Sequence, residues 1–279
     1  MMSDMETHME QIRRACREIL AVRPVYAEIM SFYEPVFLAQ EAALPHTNIP
    51  LWRIPDDILD KKRKAPSLTM VGGFHIDQKS SSQLLENICN IAIASGLSVL
   101  KDGARKILEC TRAGRLQTED LFDAVLGKIE DADLCGISAD MIMTFGYNSI
   151  RPSVLLNARQ LSAYLNDDKP SKTGCCPICG TPPGLSMLKN KGERWYVCSF
   201  CWHEWLTSKI YCPFCGTTDS KYLHYFLSEA EPEYRIDGCD RCRQYIKTID
   251  LDKTTRTIVP AVEAIATLHL DQKAMDAAS

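Results

Sequence analysis

No run of about 18 uncharged apolar residues occurs in this chain of 279 residues, so nothing in it reads as a membrane-spanning helix. The stretch Met1-Met2-Ser3-Asp4-Met5-Glu6 has neither a basic nor an apolar segment of the secretory kind, and the reading predicts a cytoplasmic protein. A basic surplus is missing too. The net charge is −4, and residues 171–279 hold 13 Lys and Arg against 13 Asp and Glu. That neutral balance argues against nucleic acid as a partner, because phosphate binding needs a basic footprint. Gly72-Gly73-Phe74-His75 lacks the strand and helix that a phosphate-binding loop requires. Lys61-Lys62-Arg63-Lys64 reads as solvated surface. Apolar residues make up 46% and charged residues 24%, which is ordinary for a folded globular chain long enough for one large or two modest domains.

Cysteine, by contrast, is abundant and unevenly placed: nine of the thirteen lie between Cys175 and Cys242. In a long chain without an export signal, such clustering points to metal binding or thiol chemistry rather than cross-linking. Cys16, Cys89, Cys110 and Cys135 are scattered among helical patterns and read as core packing.

The first part of the chain repeats apolar residues at helical spacing. Ile12, Cys16, Ile19 and Leu20 mark one helix. Pro24 opens a second, carrying Val25, Ile29, Met30, Phe32, Val36 and Phe37, with Pro35 expected to kink or break it. Residues 44–77, with prolines at 45, 50, 55 and 66, read as a long loop with at most one helical turn. Further helices are expected after Ser82 as N-cap, over Ala104 to Arg112, Thr118 to Ile129, Ala139 to Tyr147, and Pro152 to Leu165. A polar linker follows, and then short β-type runs: Trp195 to Val197, Leu206 to Tyr211, Tyr222 to Leu227 and Tyr245 to Leu251. A last helix is expected over Pro260 to Leu270. The fold class is therefore multidomain α plus small β: an all-α helical domain over 1–168, a linker over 169–174, a tandem four-cysteine metal-binding ribbon module over 175–252, and a C-terminal helix and tail over 253–279.

Four Cys-x-x-Cys pairs carry the chemistry: Cys176 and Cys179, Cys198 and Cys201, Cys212 and Cys215, Cys239 and Cys242. Two intervening residues let one tight turn aim both sulfurs at one ion, and two such turns complete a tetrahedron. Sequential pairing, with the first two turns on one ion and the last two on the other, is simplest; an interleaved arrangement is the alternative. Cys175 reads as a bystander. Gly180 and Gly216 follow their pairs, where positive φ lets the chain wrap back and turn N–H groups toward sulfur. Four thiolates fill the shell, leaving no position for substrate, so the protein reads as a non-enzyme with two metal ions, zinc or iron by spacing alone. His203 and Glu204 read as the start of a strand rather than an acid/base pair. The functional centre is expected at Cys198, Cys201, Cys212 and Cys215, flanking the Trp202 to Tyr211 segment taken to join the sites.

At these residues the sequence resembles the formate dehydrogenase accessory proteins of the FdhE family. The resemblance rests on Cys176-Pro-Ile-Cys179-Gly180, on Arg194-Trp195-Tyr196-Val197-Cys198-Ser199-Phe200-Cys201 with Glu204-Trp205, on Cys212-Pro-Phe-Cys215-Gly216, and on Cys239-Asp-Arg-Cys242-Arg-Gln-Tyr245-Ile-Lys247. Tyr26, Phe32 and Gln40 extend it into the helical part. It implies a cytoplasmic, non-catalytic maturation factor, with an α-helical domain joined to rubredoxin-like, zinc-ribbon-like knuckles and iron as the associated ion. Its partner would be the catalytic subunit of a molybdenum- or tungsten-dependent formate dehydrogenase. Trp202 and Arg243 stand where the other knuckles have glycine, so their N–H···S bonding is expected to differ. Two other readings compete: a rubredoxin-like electron-transfer or redox-sensing protein, and a nucleic-acid-binding zinc ribbon.

Overall fold

A computed structural model describes residues 7–62, 65–129, 134–165, 171, 173–207, 210–228 and 230–277. Arg63 and Lys64 of the basic run, residues 166–170 and 172 in and before the 169–174 linker, and residues 208–209 lie outside them. Two compact units emerge, one of residues 1–51 and 71–157, the other of 52–70 and 158–279.

The first unit is helical. Helix α1 (His8–Val22) starts on a capping box in which Thr7 and Glu10 satisfy each other's backbone N–H groups, and it buries Ile12, Ala15, Cys16 and Ile19. After a 3-10 turn at Pro24–Tyr26, α2 runs unbroken from Ala27 to Ala43 through Pro35. The expected break is absent because Met30 and Phe32 before the proline, and Val36, Phe37 and Gln40 after it, are all buried. Each large apolar side chain contributes about 1.5–3 kcal/mol, which together outweighs one missing bond and a steric penalty of about 3 kcal/mol.

Helix α4 (Gln78–Ala94) is capped by Asp77, whose carboxylate accepts from the Ser80 N–H, so it begins before the expected Ser82. The Ser82 hydroxyl instead meets that of Thr118 at 2.7 Å. Helix α5 (Ser98–Arg112) also starts earlier than expected, and α6 (Thr118–Val125) ends sooner. Helix α7 (Ala139–Met141) passes through a π-turn at Ile142–Tyr147 into α8 (Asn148–Ser162), which contains Pro152 rather than starting there. Proline at 152 frees the Asn148 carbonyl four residues back, and the buried Gln40 amide donates to it at 2.9 Å. Arg151, also buried, donates in turn to the Gln40 side-chain oxygen. Cys16, Cys89 and Cys110 are buried as expected, whereas Cys135 is only half-buried, on a turn at φ 58°. No helix is long and apolar enough to cross a membrane among the described residues.

The second unit is built on one six-stranded sheet in the order β3-β2-β1-β6-β5-β4. Its strands are β1 (Pro183–Lys189), β2 (Glu193–Cys198), β3 (Glu204–Thr207), β4 (Leu223–Ser228), β5 (Glu231–Cys239) and β6 (Gln244–Asp250). Neighbours are antiparallel except β1 and β6, which pair in parallel from Leu185 opposite Lys247 to Leu188 opposite Asp250. This ladder joins the two ribbons into one sheet. Helices α9 (Pro260–Ala266) and α10 (Leu268–Ala277) cover one face, so this segment forms core rather than tail. Leu270 and Ala274 pack on Tyr234, Ile236 and Ile249. Residues 52–70, read as a loop between helices, hold α3 (Asp56–Lys62) and belong to this unit. The Leu68 and Thr69 N–H groups donate to the carbonyls of Pro177 and Ile178, each at 2.8 Å, inside the first Cys-x-x-Cys turn.

Candidate metal centres

Each ribbon repeats one plan: a Cys-x-x-Cys turn, two antiparallel strands, a second Cys-x-x-Cys turn at the strand end, and a third strand. Cys176 and Cys179 precede β1, while Cys198 ends β2 and Cys201 leads into β3. Cys212 and Cys215 precede β4, while Cys239 ends β5 and Cys242 leads into β6.

The backbone is the same at all four turns. Gly180 (φ 78°) and Gly216 (φ 72°) are left-handed, and so are Trp202 (φ 60°) and Arg243 (φ 58°). The two non-glycine residues thus take the same left-handed backbone as the two glycines. In each turn whose bonds are resolved the residue after the pair donates to the first cysteine's carbonyl: Gly180 to Cys176 and Gly216 to Cys212 at 2.9 Å, Arg243 to Cys239 at 2.8 Å. Around Cys198, the N–H groups of Phe200 and Cys201 point at its sulfur at 3.4 and 3.3 Å.

Two groups of four sulfurs result, Cys176/Cys179/Cys198/Cys201 and Cys212/Cys215/Cys239/Cys242, each with its atoms within 4.8 Å of one another. Resolved separations are 3.6 Å for Cys176–Cys201, 3.4 Å for Cys179–Cys198 and 3.6 Å for Cys179–Cys201. In the second group they are 3.5 Å for Cys212–Cys242 and 3.8 Å for Cys215–Cys239. A tetrahedron with metal–sulfur bonds of about 2.3 Å has edges of about 3.8 Å, whereas a disulfide needs about 2.05 Å. The donor set thus fits a tetrahedral ion and not cross-links. Cys175 stands outside both groups.

Ionisation fits a cation as well. Hydrogen bonds from Cys176, Cys179 and Cys201 hold the Cys198 thiol far below its ordinary range, while burial pushes Cys176 up. The hydrogen bond with Cys176 holds the Cys179 thiol below its ordinary range as well, so two thiolates draw on the protons of their neighbours, a role a divalent ion would take over if all four ionised. In the second group the Thr217 backbone N–H brings Cys215 down to about 7. The groups differ in exposure: the first is wholly buried, whereas Cys215 is exposed and Cys242 half-buried.

Sequence reasoning missed Thr181, whose hydroxyl lies 2.7 Å from the Cys179 sulfur and 3.1 Å from that of Cys198. The signal was present, since both Cys-Pro-x-Cys-Gly turns continue with threonine, Thr181 and Thr217, and both carbonyls accept from the first cysteine's N–H. Glu204 opens β3 and pairs with Lys189, and the ring of His203 lies parallel to that of Trp205.

No protein-family model matches the chain. A protein FdhE homolog of Aquifex aeolicus (strain VF5) is 32% identical over 160 residues, 56% of this chain and 54% of that protein. Another, from Shewanella sp. (strain MR-4), is 35% identical over 101 residues, 35% of this chain and 33% of that protein. The chain is thus similar to FdhE proteins over up to 56% of its length. It spans about half the length, or less, of these curated FdhE relatives. The crystal structure of FdhE from Pseudomonas aeruginosa matches 98% of this chain and 94% of its own with a TM-score of 0.67 at 17% identity, so the fold is shared well beyond the reach of sequence.

Proposed function

We propose that this protein is a non-catalytic accessory factor that binds the catalytic subunit of a molybdenum- or tungsten-dependent formate dehydrogenase and supports its assembly in the cytoplasm. The observation that carries this reading is the pair of four-cysteine groups with tetrahedral spacing in a chain related to FdhE. In this reading Cys176, Cys179, Cys198 and Cys201 hold one ion, and Cys212, Cys215, Cys239 and Cys242 hold the other. Each ion, when bound, would cross-link two turns and stabilise its ribbon, on the order of 10 kcal/mol for structural sites of this type. The thiolates complete the shell, so what the chain offers a client is a braced surface rather than an open coordination position. Iron is favoured by the family resemblance, and the donor set suits zinc equally.

One observation favours the redox alternative. The exposed Cys215 brings the second centre to the surface, where electron exchange with a partner is geometrically open.

Affinity co-purification from cells expressing the dehydrogenase catalytic subunit tests the proposal, with metal assayed in the same eluates. Recovery of the subunit by the native chain, and its loss with Cys212→Ser, Cys215→Ser, is the expected result. Equal recovery would move binding away from the second ribbon, and no recovery by the native chain would overturn the client assignment.

A further inference from the structure

The two ribbons are joined by an unequal use of equivalent edges. Strands β1 and β4 are the first strands of their ribbons, and β3 and β6 are the last. The outer edge of β1 is covered in parallel by β6 over Leu185 to Leu188. The outer edge of β3 is met, also in parallel, by the Ser171 segment, whose N–H donates to Leu206 at 2.8 Å. Among the described residues, β4 pairs only with β5.

That remaining edge is unusual in composition. Edge strands are ordinarily blunted by charge, proline or a covering segment, because their free N–H and C=O groups invite another strand. Leu223-His224-Tyr225-Phe226-Leu227-Ser228 contains no lysine, glutamate, aspartate or proline. Tyr225, Phe226 and Leu227 are 59%, 50% and 54% exposed, so the strand is apolar on both faces.

Beside it, on the Tyr225 face, opens a cavity of about 370 Å³ between the sheet and the Ile210 to Phe214 loop. Ile210, Tyr211, Phe214, Leu223 and Ile246 give it an apolar wall. Arg194 and Arg235 line it too, and both donate to the single carboxylate of Asp237, at 3.1 and 3.2 Å. The same cavity is lined by Cys212 and Cys239 of the second four-cysteine group, whose thiolates offset the guanidinium charge, so its apolar wall rather than net charge is what it offers a partner. Ile210, at the rim, is 81% exposed.

We propose that β4 is a docking strand: its free edge takes an extended segment of a protein partner in parallel, as β1 takes β6, with apolar side chains along the strand and against the apolar wall of the cavity. A second copy of this chain is the less suitable occupant, since the strand it would offer by the same plan, β3, already meets Ser171. Strand addition supplies affinity through backbone bonds and specificity through side chains on alternate positions. The inference concerns the β4 edge and does not depend on which enzyme is the client.

A randomised octapeptide library displayed on phage, panned on the metal-loaded full chain, tests it. Expected are peptides enriched in apolar residues at alternate positions, which protect the β4 amides from hydrogen exchange. Their affinity should fall at least about tenfold in Tyr225→Lys, Leu227→Lys, since edge lysines oppose strand addition. Arg235→Gln, which changes the cavity but not the apolar edge, should leave the enrichment in place, with metal content unchanged in both variants. No enrichment, enrichment unaffected by the lysine variant, or protection elsewhere on the chain overturns the proposal. So does concentration-dependent self-association of the native chain that the lysine variant abolishes, which would make the occupant a second copy.

Discussion

Removing the Glu263 carboxylate should loosen the sheet unit measurably. Glu263 is fully buried in α9, accepts the Tyr234 hydroxyl from β5, and faces the Arg256 guanidinium at 3.1 Å. Deleting one member of a buried pair costs about 3–5 kcal/mol, because the surviving charge loses its partner. Here Glu233 still approaches Arg256 at 3.5 Å and Arg256 is 14% exposed, which places Glu263→Ala near the lower end, about 3 kcal/mol. Urea titration followed by tryptophan fluorescence isolates this unit, since Trp52, Trp195, Trp202 and Trp205 all belong to it. With a slope of about 2 kcal/mol per molar, the midpoint should fall by about 1.5 M at constant metal. The double variant Glu263→Ala, Arg256→Met removes the stranded guanidinium but leaves Glu233 without its 3.5 Å partner, and should recover part of that. A fall under about 0.3 M, or no recovery in the double variant, would refute the reasoning.

Other consequences are equally specific. A competing chelator should remove metal in two phases, the fast one from the centre holding exposed Cys215, and Cys215→Ser should abolish that phase alone; a single phase would contradict the difference in burial. Burial pushes the thiols of Cys16 and Cys89 up to about 12. The folded helical unit therefore keeps protons that the unfolded chain loses, so its stability should be full below pH 9 and decline toward pH 12, more weakly in Cys16→Ala or Cys89→Ala. Gly216→Ala meets no atom within 4 Å and should cost only the left-handed backbone penalty, about 1 kcal/mol by denaturation; a larger loss would mean the turn is held by more than φ. Truncation after residue 252 uncovers Tyr234, Ile236 and Ile249, and should give insoluble protein or a strongly lowered midpoint rather than an intact ribbon pair.

Local chemistry made much of this legible. Cys-x-x-Cys spacing, the capping pattern at α1 and the apolar periodicity of α4 are written within a few residues of one another. What depended on distant partners was hidden. Pro152 looks like the start of a helix until Gln40 is seen donating to the carbonyl that Pro152 leaves free. Strand β1 opens Pro183-Gly184 and buries both Leu185 and Ser186, so no alternation marks it. Strand β5 alternates, but Glu233, Arg235 and Asp237 sit between its apolar residues and conceal Tyr234 and Ile236. Residues 66–70 look like loop because their hydrogen bonds go to a turn about 110 residues away, a separation no local pattern encodes.

Metal stoichiometry and coordination test the central claim most directly: native mass spectrometry of the purified chain, with X-ray absorption at the edge of whichever metal it carries. Two ions per chain are predicted, each in a shell of four sulfurs at about 2.3 Å, falling to one ion in Cys198→Ser and in Cys212→Ser. Fewer than two ions in the native chain, nitrogen or oxygen in the shell, or unchanged content in either variant would contradict the account.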